Sequence, residues 1–580
     1  MRSRASVLTT LRAQPAVDVL IVGAGINGIG LYRDLAAQGT AALLIDQSDF
    51  CSGTSAAPSR LVHGGLRYLE TGEFALVRES VIERNRLLQN APHLVKPLAV
   101  WVPLREHWAG LLKAPARLFG WTRTPGAKGS LVTKLGLVVY DWFGRGNQAT
   151  PRHQMIGRAD VQRLMPAMDR SVRMAAQFYD ARLVHPERLA LELIDDAEAD
   201  CPESLAIPYL SLEDSKDGAI TLRDLPSGQT FTVRAKLVVN TAGPWVDRVN
   251  ERLGITGRLI GGTRGSHLVL RHAALAAQLA ERMIYFETPD HRICLAYGIG
   301  NGNVLLGTTD IGTQDPDDNR CTSAEVGYLF DALKSIMPHI DASAAHIVFQ
   351  YAGIRPLPHA DADVTGAISR DHSLHAFEPT SDRPYTVLAL VGGKWTTYRA
   401  CAEQIADDVL ARLQRSRVRS TASLPVGGGA DWTHDARELE SRIATLSQRF
   451  NVPPETVRTL ARRYGSMCAT VLESVAQRGG EPARAARGYW SGELVHLIRH
   501  GRVTHLDDLV LRRTLLVLDG QCTLDTLTEL AACMAAELNW NSDETAAEID
   551  RAATLLRERH GVKIAHAPAA LRSRPTAPLQ

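Results

Sequence analysis

The chain has 580 residues, of which 45% are hydrophobic and 22% are charged, and its formal net charge is +2. This balance excludes an intrinsically disordered protein, and it provides no overall field for nucleic acid, so we expect no nucleic-acid partner. The eight cysteines form no CxxC pair, which argues against a zinc ribbon, and we expect no metal site. No apolar run reaches the roughly 18 residues typical of a membrane-spanning helix.

The first strong pattern is a short apolar run, residues 17–22, that leads directly into a glycine-rich turn and a helical pattern. Gly23 allows a tight turn, Gly25 lets the backbone approach a pyrophosphate, and Gly28 lets helix and strand pack closely. A second apolar run ends in Asp46, about 20 residues on, where an acid accepts hydrogen bonds from ribose hydroxyls. The pattern predicts a bound dinucleotide but does not distinguish FAD from NAD.

Three further segments combine glycines with cations. Residues 59–70 place two arginines, a histidine and a tyrosine around a Gly-Gly pair, and residues 392–398 place a lysine directly after a second Gly-Gly pair. Adjacent glycines let the backbone approach a flat ring without side chains in the way. In the third segment, residues 351–357, Pro356 restricts Arg355 to an extended backbone.

The order of the sequence motifs is similar to that of a known protein family. GAGINGIG, LVHGGLRYLE, NTAGPWVD, RGSH, GTTD, AGIRPL, ISRDH and GGKWTTYR follow one another between residue 17 and about residue 400, and ELVHLIRH and LDDLVLRRTLL follow further on. In this order they resemble the FAD-dependent glycerol-3-phosphate dehydrogenase family. The resemblance implies FAD, oxidation of sn-glycerol 3-phosphate to dihydroxyacetone phosphate, and quinone as electron acceptor. It also implies a cytoplasmic protein peripherally attached to the inner face of the cytoplasmic membrane, and it is compatible with a homodimer.

Short apolar runs alternating with helical patterns indicate an α/β fold up to about residue 410, and helical periodicity beyond about residue 425 indicates a separate all-helical domain. We expect a Rossmann-like FAD-binding domain, a substrate domain with a mixed or antiparallel sheet, and a C-terminal all-helical domain. The expected segments are a mobile leader at 1–15, FAD-binding segments at 16–100, 171–260 and 350–410, substrate or cap segments at 101–170 and 261–349, the helical domain at 425–563, and a disordered tail at 564–580. Val426-Gly427-Gly428-Gly429 is interpreted as a flexible joint before the helical domain.

Site residues follow from the dinucleotide pattern and from the motifs of the resemblance. The expected cofactor contacts are Gly23, Gly25, Gly28, Asp46, Thr54, Ser55, Arg60, His63, Gly64, Gly65, Ala242, Gly243, Gly353, Gly393, Lys394, Thr396 and Thr397. The expected substrate contacts are Arg67, Tyr68, His267, Arg355, Arg370 and Lys394. His267 and Arg355 are the expected catalytic residues, with His267 as proton acceptor and His63 as its alternative. We expect non-covalent FAD, because no His or Cys lies in a recognisable linkage motif.

Two features leave alternatives open. Residues 107–140 carry five basic residues and no acid, interleaved with Trp, Leu and Phe, which is typical of a segment on an anionic membrane surface. The alternative is that its apolar groups pack inward. Where the family usually has a Ser-Ser-Arg-Ser-type run, this chain has Ala56-Ala57-Pro58. This change leaves a weakly active or non-catalytic FAD-binding relative as one alternative function. The other is an oxidase that passes electrons to oxygen, because the sequence does not fix the electron acceptor.

Overall fold

The structure is a computed structural model that describes residues 4–69, 72–106, 130–147, 149–359 and 371–565. The strands are β1 (Ala16–Val22), β2 (Ala42–Ile45), β3 (Leu61–Val62), β4 (Val95–Leu104), β5 (Gln154–Gly157), β6 (Met174–Leu183), β7 (Leu205–Ile207), β8 (Leu210–Lys216), β9 (Ala219–Asp224), β10 (Thr230–Asn240), β11 (Ile260–Arg271), β12 (Arg282–Glu287), β13 (Ile293–Gly300), β14 (Asn303–Gly307), β15 (Ile311–Thr313), β16 (Ile347–Pro358), β17 (Ser373–Phe377) and β18 (Thr386–Val391). The helices are α1 (Arg4–Ala13), α2 (Ile26–Ala37), α3 (Phe74–Asn90), α4 (Ser130–Gly144), α5 (Arg158–Leu164), α6 (Pro186–Asp200), α7 (Val246–Arg252), α8 (Ala273–Leu279), α9 (Ser323–Ile336), α10 (Tyr398–Arg412), α11 (Ala436–Phe450), α12 (Pro454–Tyr464), α13 (Cys468–Gln477), α14 (Ser491–His500), α15 (Leu524–Leu538) and α16 (Ser542–His560).

The first sheet is built around the apolar run at the start of the chain. Its main strand order is β17-β18-β10-β1-β2-β7, with β18, β10, β1, β2 and β7 all parallel. Val19, Leu20 and Ile21 are fully buried, as expected for a parallel strand covered on both faces. Helix α2 packs against α6 and α10. The parallel strands bring four loops to one edge, after β1, β2, β10 and β18.

The second sheet is largely antiparallel and takes strands from distant parts of the chain. Its main order is β15-β11-β14-β13-β12-β4-β6-β3, with β16 also paired to β11 and β5 to β6. Within it β12 and β4 run parallel, and the other pairs are antiparallel. Together with the helices α11–α16 at the C-terminal end, the two sheets confirm the expected fold class.

The two sheets divide the chain differently from the expected segments. Strands β3, β4 and β6 lie in the second sheet, although they fall largely within 16–100 and 171–260, which we assigned to FAD binding. Strand β16 joins that sheet too, although most of it falls within 350–410. Strand order in a sheet depends on long-range pairing, which local periodicity does not encode.

The prediction of a mobile leader is wrong for the part of it that the structure describes. Residues Arg4–Ala13 form α1, and Val7 and Leu11 are buried in an apolar cluster with strand residues of the first sheet. Arg4 forms an ion pair with Asp224. A helix this short is marginal alone, so its stability comes from this packing. Residues 566–580 of the expected tail lie outside the described residues.

The glycines before the C-terminal helices serve close packing rather than flexibility. The Gly427 N–H donates to Asp196 (2.9 Å) and the Gly428 N–H donates to Glu192 (3.1 Å). A Cβ on Gly429 would lie 2.1 Å from the carbonyl oxygen of Asn90. The expected flexible joint is therefore pressed against the body of the protein, and the helical domain packs on it.

The basic aromatic segment is only partly described, because residues 107–129 lie outside the described residues. Its C-terminal part forms α4, where Leu137 and Tyr140 are buried while Leu135, Val138 and Trp142 are exposed at 55%, 48% and 59%. The helix thus has an inward and an outward apolar face. Among the described helices, none combines the length and the apolar character that crossing a membrane requires.

Candidate active site

A cavity of about 1290 Å³ lies against the carboxyl edge of the first sheet. The loops after β1, β2, β10 and β18 line it, together with the face of the second sheet that carries β11 and β16, and with residues of the C-terminal helices. The carboxyl edge of a parallel sheet is the usual ligand site in such folds. Its volume exceeds that of typical small-molecule pockets, so it accommodates a dinucleotide and a small substrate together.

The glycine turn has the geometry that its sequence predicts. Gly23 has φ +103°, and a Cβ there would lie 2.7 Å from the Cα of Ala242. A Cβ on Gly28 would lie 2.0 Å from the Gly23 carbonyl oxygen, so Gly28 serves packing and does not line the cavity. Gly25 caps the N-terminus of α2 and lines the cavity, where free helix N–H groups favour an anion.

The Asp46 carboxylate binds the protein's own backbone, a role that the sequence pattern does not predict. Its carboxylate accepts hydrogen bonds from the backbone N–H of Ala24 (2.7 Å) and of Ser48 (2.8 Å), so it ties the glycine turn to the loop after β2. Burial raises the pKa of Asp46 to about 6. The side chain also lines the cavity, as does the turn after β10 with Ala242 and Gly243.

The loop that departs from the family pattern lies across the second sheet. The Thr54 hydroxyl donates to the Ile354 carbonyl (2.6 Å), and Ser55 Oγ accepts the N–H of Ile26 in α2 (3.0 Å). A Cβ on Gly353 would lie 2.8 Å from the Cβ of Ala57. The small residue at position 57 and the glycine at position 353 therefore allow each other's close approach.

The two Gly-Gly pairs have different surroundings. The Gly64 N–H donates to the Tyr140 hydroxyl and to Asp180, both at 3.0 Å, and Gly64 does not line the cavity, whereas Gly65 does. Gly393 has φ +97°, and a Cβ there would lie 2.4 Å from the side-chain nitrogen of Asn27. The backbone at both places stays close to its neighbours because no side chain intervenes.

Lys394 and Tyr68 meet at the cavity wall. The Lys394 ammonium lies 4.3 Å from the centre of the Tyr68 ring, within the range of a cation–π contact, and both residues line the cavity. Thr396 lines it too, and its hydroxyl accepts the N–H of His63 (3.1 Å). Thr397 is buried just before α10 and lies outside the cavity wall.

Arg60 lines the cavity but is held by the protein. Its guanidinium donates to the Val184 carbonyl (3.0 Å) and lies 3.5 Å from Glu187. Its Nε is buried without a hydrogen-bond partner. Arg60 therefore contributes positive charge near the cavity while it anchors its own loop.

His267 lies at the centre of the second sheet's cavity face. Its Nε2 is 2.8 Å from Ser59 Oγ, and its Nδ1 is buried without a hydrogen-bond partner. The ring stacks on Tyr351, with centroids 5.0 Å apart and planes at 14°. Burial, and then the charges of Arg355 and Arg60, lower the pKa of His267 to about 3. The imidazole is therefore uncharged near pH 7.

Arg355 lies beside His267 on the neighbouring strand. It donates to Asp310 and to the Thr308 hydroxyl, both at 3.1 Å, and its guanidinium crosses Gly265, where a Cβ would lie 2.2 Å from Nη2. Of the remaining expected substrate residues, the side chain of Arg67 and the whole of Arg370 lie outside the described residues.

Ser59, Tyr351, Asp310 and Asn27 line this wall without having been among the expected contacts. A signal for Tyr351 was present, because residues two apart on a strand share a face. Tyr351, Gly353 and Arg355 therefore point the same way from β16. Asn27 and Asp310 lie within the GAGINGIG and GTTD motifs, but their places in the wall depend on neighbours far away in the chain.

Comparison with known proteins identifies the family. Residues 18–407 match the family described as FAD dependent oxidoreductase, and residues 419–545 match the C-terminal domain of alpha-glycerophosphate oxidase. A glycerol-3-phosphate dehydrogenase of Synechocystis is 29% identical over 92% of this chain and 95% of its own length. A second, from Pseudomonas aeruginosa, is 30% identical over 86% of this chain and 91% of its own length.

A solved structure shares the fold. It is the glycerol-3-phosphate dehydrogenase of Bacillus halodurans complexed with FAD, with a TM-score of 0.73 at 23% identity, covering 96% of this chain and 97% of that one. The residues that line the cavity also fit FAD. Side chains at Gly23 and Gly393 would fill it or clash with its wall, and Asn27 Oδ1 is a buried acceptor without a partner beside it. The chain therefore uses FAD and belongs to the FAD-dependent glycerol-3-phosphate dehydrogenase family.

Proposed function

We propose that this protein oxidises sn-glycerol 3-phosphate to dihydroxyacetone phosphate and passes the electrons to a membrane quinone. The observation that carries the proposal is the juxtaposition of His267, a neutral imidazole, with Arg355, Lys394 and Tyr68 in one cavity that also contains the dinucleotide turn. The names of the relatives, glycerol-3-phosphate dehydrogenase, supply the substrate.

Different residues of the cavity bind the phosphate group and accept the proton. Bound FAD supplies the acceptor for the hydride that leaves the secondary carbon of the alcohol. Arg355 and Lys394 provide positive charge for a phosphate dianion. The Arg355 guanidinium exchanges its contacts to Asp310 and Thr308 for the phosphate oxygens when substrate binds. His267 takes the hydroxyl proton at Nε2, where a substrate hydroxyl replaces the Ser59 contact. Tyr351 stacked beneath the ring holds it in place for this transfer.

His63 remains the alternative proton acceptor. It lines the same cavity, as does Gly65 two residues further on. We assign the transfer to His267 because its ring lies beside Arg355, the residue that we propose binds the phosphate group. Distances within a three-carbon substrate require the proton acceptor and the phosphate site to be close neighbours.

The acceptor and the membrane contact rest on a separate observation. On α4, the exposed side chains Leu135, Val138 and Trp142 share one face of the helix, because they are three and four residues apart. This face directly follows the basic segment 107–129. Apolar groups next to basic residues favour attachment to an anionic membrane surface, the compartment in which quinones dissolve.

Oxygen is the second candidate acceptor, because residues 419–545 match a domain named for alpha-glycerophosphate oxidase. The test is substrate turnover by the purified holoprotein with a soluble quinone analogue, with and without oxygen, while hydrogen peroxide is measured. Quinone reduction under anaerobic conditions without aerobic peroxide supports the proposal. Stoichiometric peroxide without quinone reduction would identify an oxidase, and failure of the substrate to bleach the flavin would identify a non-catalytic relative. Glycerol, which lacks the phosphate, is the matched control substrate.

A further inference from the structure

The C-terminal helical domain forms part of the cavity wall. Arg512, Leu555 and Arg559 all line the cavity, and the Arg512 Nε donates to Asp49 in the loop after β2. In the dinucleotide pattern this loop accompanies the adenosine half of the cofactor. Through Arg512 the helical domain therefore reaches the loop that accompanies the adenosine half.

A buried pair of arginines joins this domain to the cofactor loop. Asp49, three residues after Asp46, accepts two hydrogen bonds of 2.7 Å from Arg513 and a further one from the Arg512 Nε. Asp49 and Arg513 are fully buried. Although burial raises it, the charges of Arg513 and Arg512 hold the pKa of Asp49 below its usual value. A bidentate pair of this kind fixes both position and orientation.

The buried charge cluster of Asp49, Arg512 and Arg513 includes further residues of the helical domain. Arg512 also binds Asp507 (2.9 Å) and Asp508 (2.6 Å), and the Tyr209 hydroxyl of the first sheet's loop donates to Asp508 (2.5 Å). Every charge in the cluster has a partner of opposite sign, as burial demands. Movement of the helical domain would therefore displace the loop that carries Asp46.

Arg559 differs from these arginines. It lines the cavity near Arg320, and in the described part of the chain neither guanidinium makes an ion pair or a hydrogen bond. Burial, and then the charges of Arg320 and Arg512, lower the pKa of Arg559. Two like charges beside a cavity attract an anion, because the anion relieves their repulsion.

A chain of contacts connects this pair to the glycine turn. Asp317, whose charge acts on Arg559, accepts the indole N–H of Trp245 at 2.8 Å. A Cβ on Gly53 would lie 3.1 Å from the Trp245 ring. Gly53 precedes the Thr54-Ser55 pair, and Ser55 holds the N-terminus of α2. The contacts of Asp317 and Trp245 thus lead from Arg559 to the loop that holds the N-terminus of α2.

We propose that the C-terminal helical domain is a component of the FAD site. Arg512 and Arg513 position the Asp46–Asp49 loop through Asp49, and Arg559 with Arg320 forms an anion subsite for the pyrophosphate of FAD. The phosphate chemistry could also come from free inorganic phosphate, and the experiment below separates the two sources.

The test is titration of the apoprotein with FAD, followed by flavin fluorescence, which does not depend on turnover. Arg559→Gln is expected to raise the Kd for FAD about ten- to a hundredfold, as for loss of a charge-assisted contact, and to weaken its dependence on salt. Arg513→Lys keeps the charge but loses the bidentate geometry, and it is expected to raise the Kd at least several-fold.

Arg502→Gln is the matched control. Arg502 likewise joins the helical domain to the first half of the chain, through Asp195 and Glu198, but it lies outside the cavity wall. It should lower the melting temperature of the apoprotein and leave the Kd for FAD unchanged. Equal weakening by Arg502→Gln and Arg513→Lys would reduce the domain's role to general stability and overturn the proposal.

Competition with inorganic phosphate shows whether the anion at this subsite is the pyrophosphate of FAD or free phosphate. Phosphate should compete with FAD for the wild-type apoprotein and not for Arg559→Gln. Binding of phosphate to the holoprotein that depends on Arg559 would show a separate anion site and overturn the assignment to the pyrophosphate. Wild-type affinity for FAD in both Arg559→Gln and Arg513→Lys would overturn the whole proposal.

Discussion

Replacing His267 tests the proposed proton transfer most directly. We expect His267→Ala to slow reduction of the flavin by glycerol 3-phosphate about 10²–10⁴-fold, the usual contribution of a positioned general base. This corresponds to about 3–5 kcal/mol of transition-state stabilisation. The substrate dissociation constant should change far less, because the charges on Arg355 and Lys394 remain. Anaerobic stopped-flow reduction over a range of substrate concentrations separates the two quantities.

Ser59→Ala is the matched control for this variant. It removes the hydrogen-bond partner of Nε2 at 2.8 Å and leaves the base in place. One neutral hydrogen bond is worth about 1 kcal/mol, so the reduction rate should fall no more than about fivefold. Unchanged reduction in His267→Ala would refute the reasoning and assign the proton to His63 or to solvent.

The pH profile provides an independent check. Because the pKa of His267 lies near 3, the imidazole is protonated only below that pH and stays neutral across pH 5–8. The limiting rate of flavin reduction should therefore show no loss of a base near pH 6.5 in the wild-type protein. A decline centred on the usual histidine pKa, abolished in His267→Ala, would contradict the assigned environment of the ring.

Four further predictions concern binding, stability and the membrane. Arg355→Ala should raise KM about ten- to a hundredfold by loss of a charge-assisted bond, with normal FAD content; unchanged kinetics would remove Arg355 from the site. Because the pKa of Asp46 is raised to about 6, its carboxylate is protonated below that pH, so FAD affinity should fall as pH drops through 6, and Asp46→Asn should abolish this dependence; a parallel decline in both proteins would assign it elsewhere. Val7→Asp buries a charge in the α1 contact and should destabilise the protein by about 2–3 kcal/mol in thermal unfolding; an unchanged melting temperature would mean that α1 contributes nothing. Trp142→Glu should reduce co-sedimentation with anionic vesicles while Val418→Glu, at another exposed apolar residue, should not; equal sedimentation would place the contact away from α4.

The start of the cofactor site could be predicted because its information is local. Strand β1, the glycine turn, α2, β2 and Asp46 lie within one continuous segment. The requirements on Gly23 and Gly28 come from backbone geometry between neighbours in that segment and the strand beside it. The motifs on β11 and β16 identified His267 and Arg355 as site residues, and the structure places both in the cavity wall.

The roles of Gly64 and α1 were not predictable in this way. Gly64 was expected beside the cofactor, but its N–H is used by Tyr140 and Asp180, which are 76 and 116 residues away. Helix α1 has too few apolar residues for a strong helical pattern, and it is stabilised by the first sheet against which it packs. In both cases a partner distant in the chain determines the outcome.

The sequence by itself determined the family, the dinucleotide turn and the existence of a helical C-terminal domain, because short-range patterns of glycine, apolar and charged residues specify them. Only the tertiary structure decided which strands share a sheet, that Ser59 contacts His267, and that Arg513 binds Asp49 from 464 residues away. Such contacts depend on the pairing of surfaces that form after local elements exist. Hydrophobic periodicity along the chain does not indicate which surfaces of the helices and strands pack against each other.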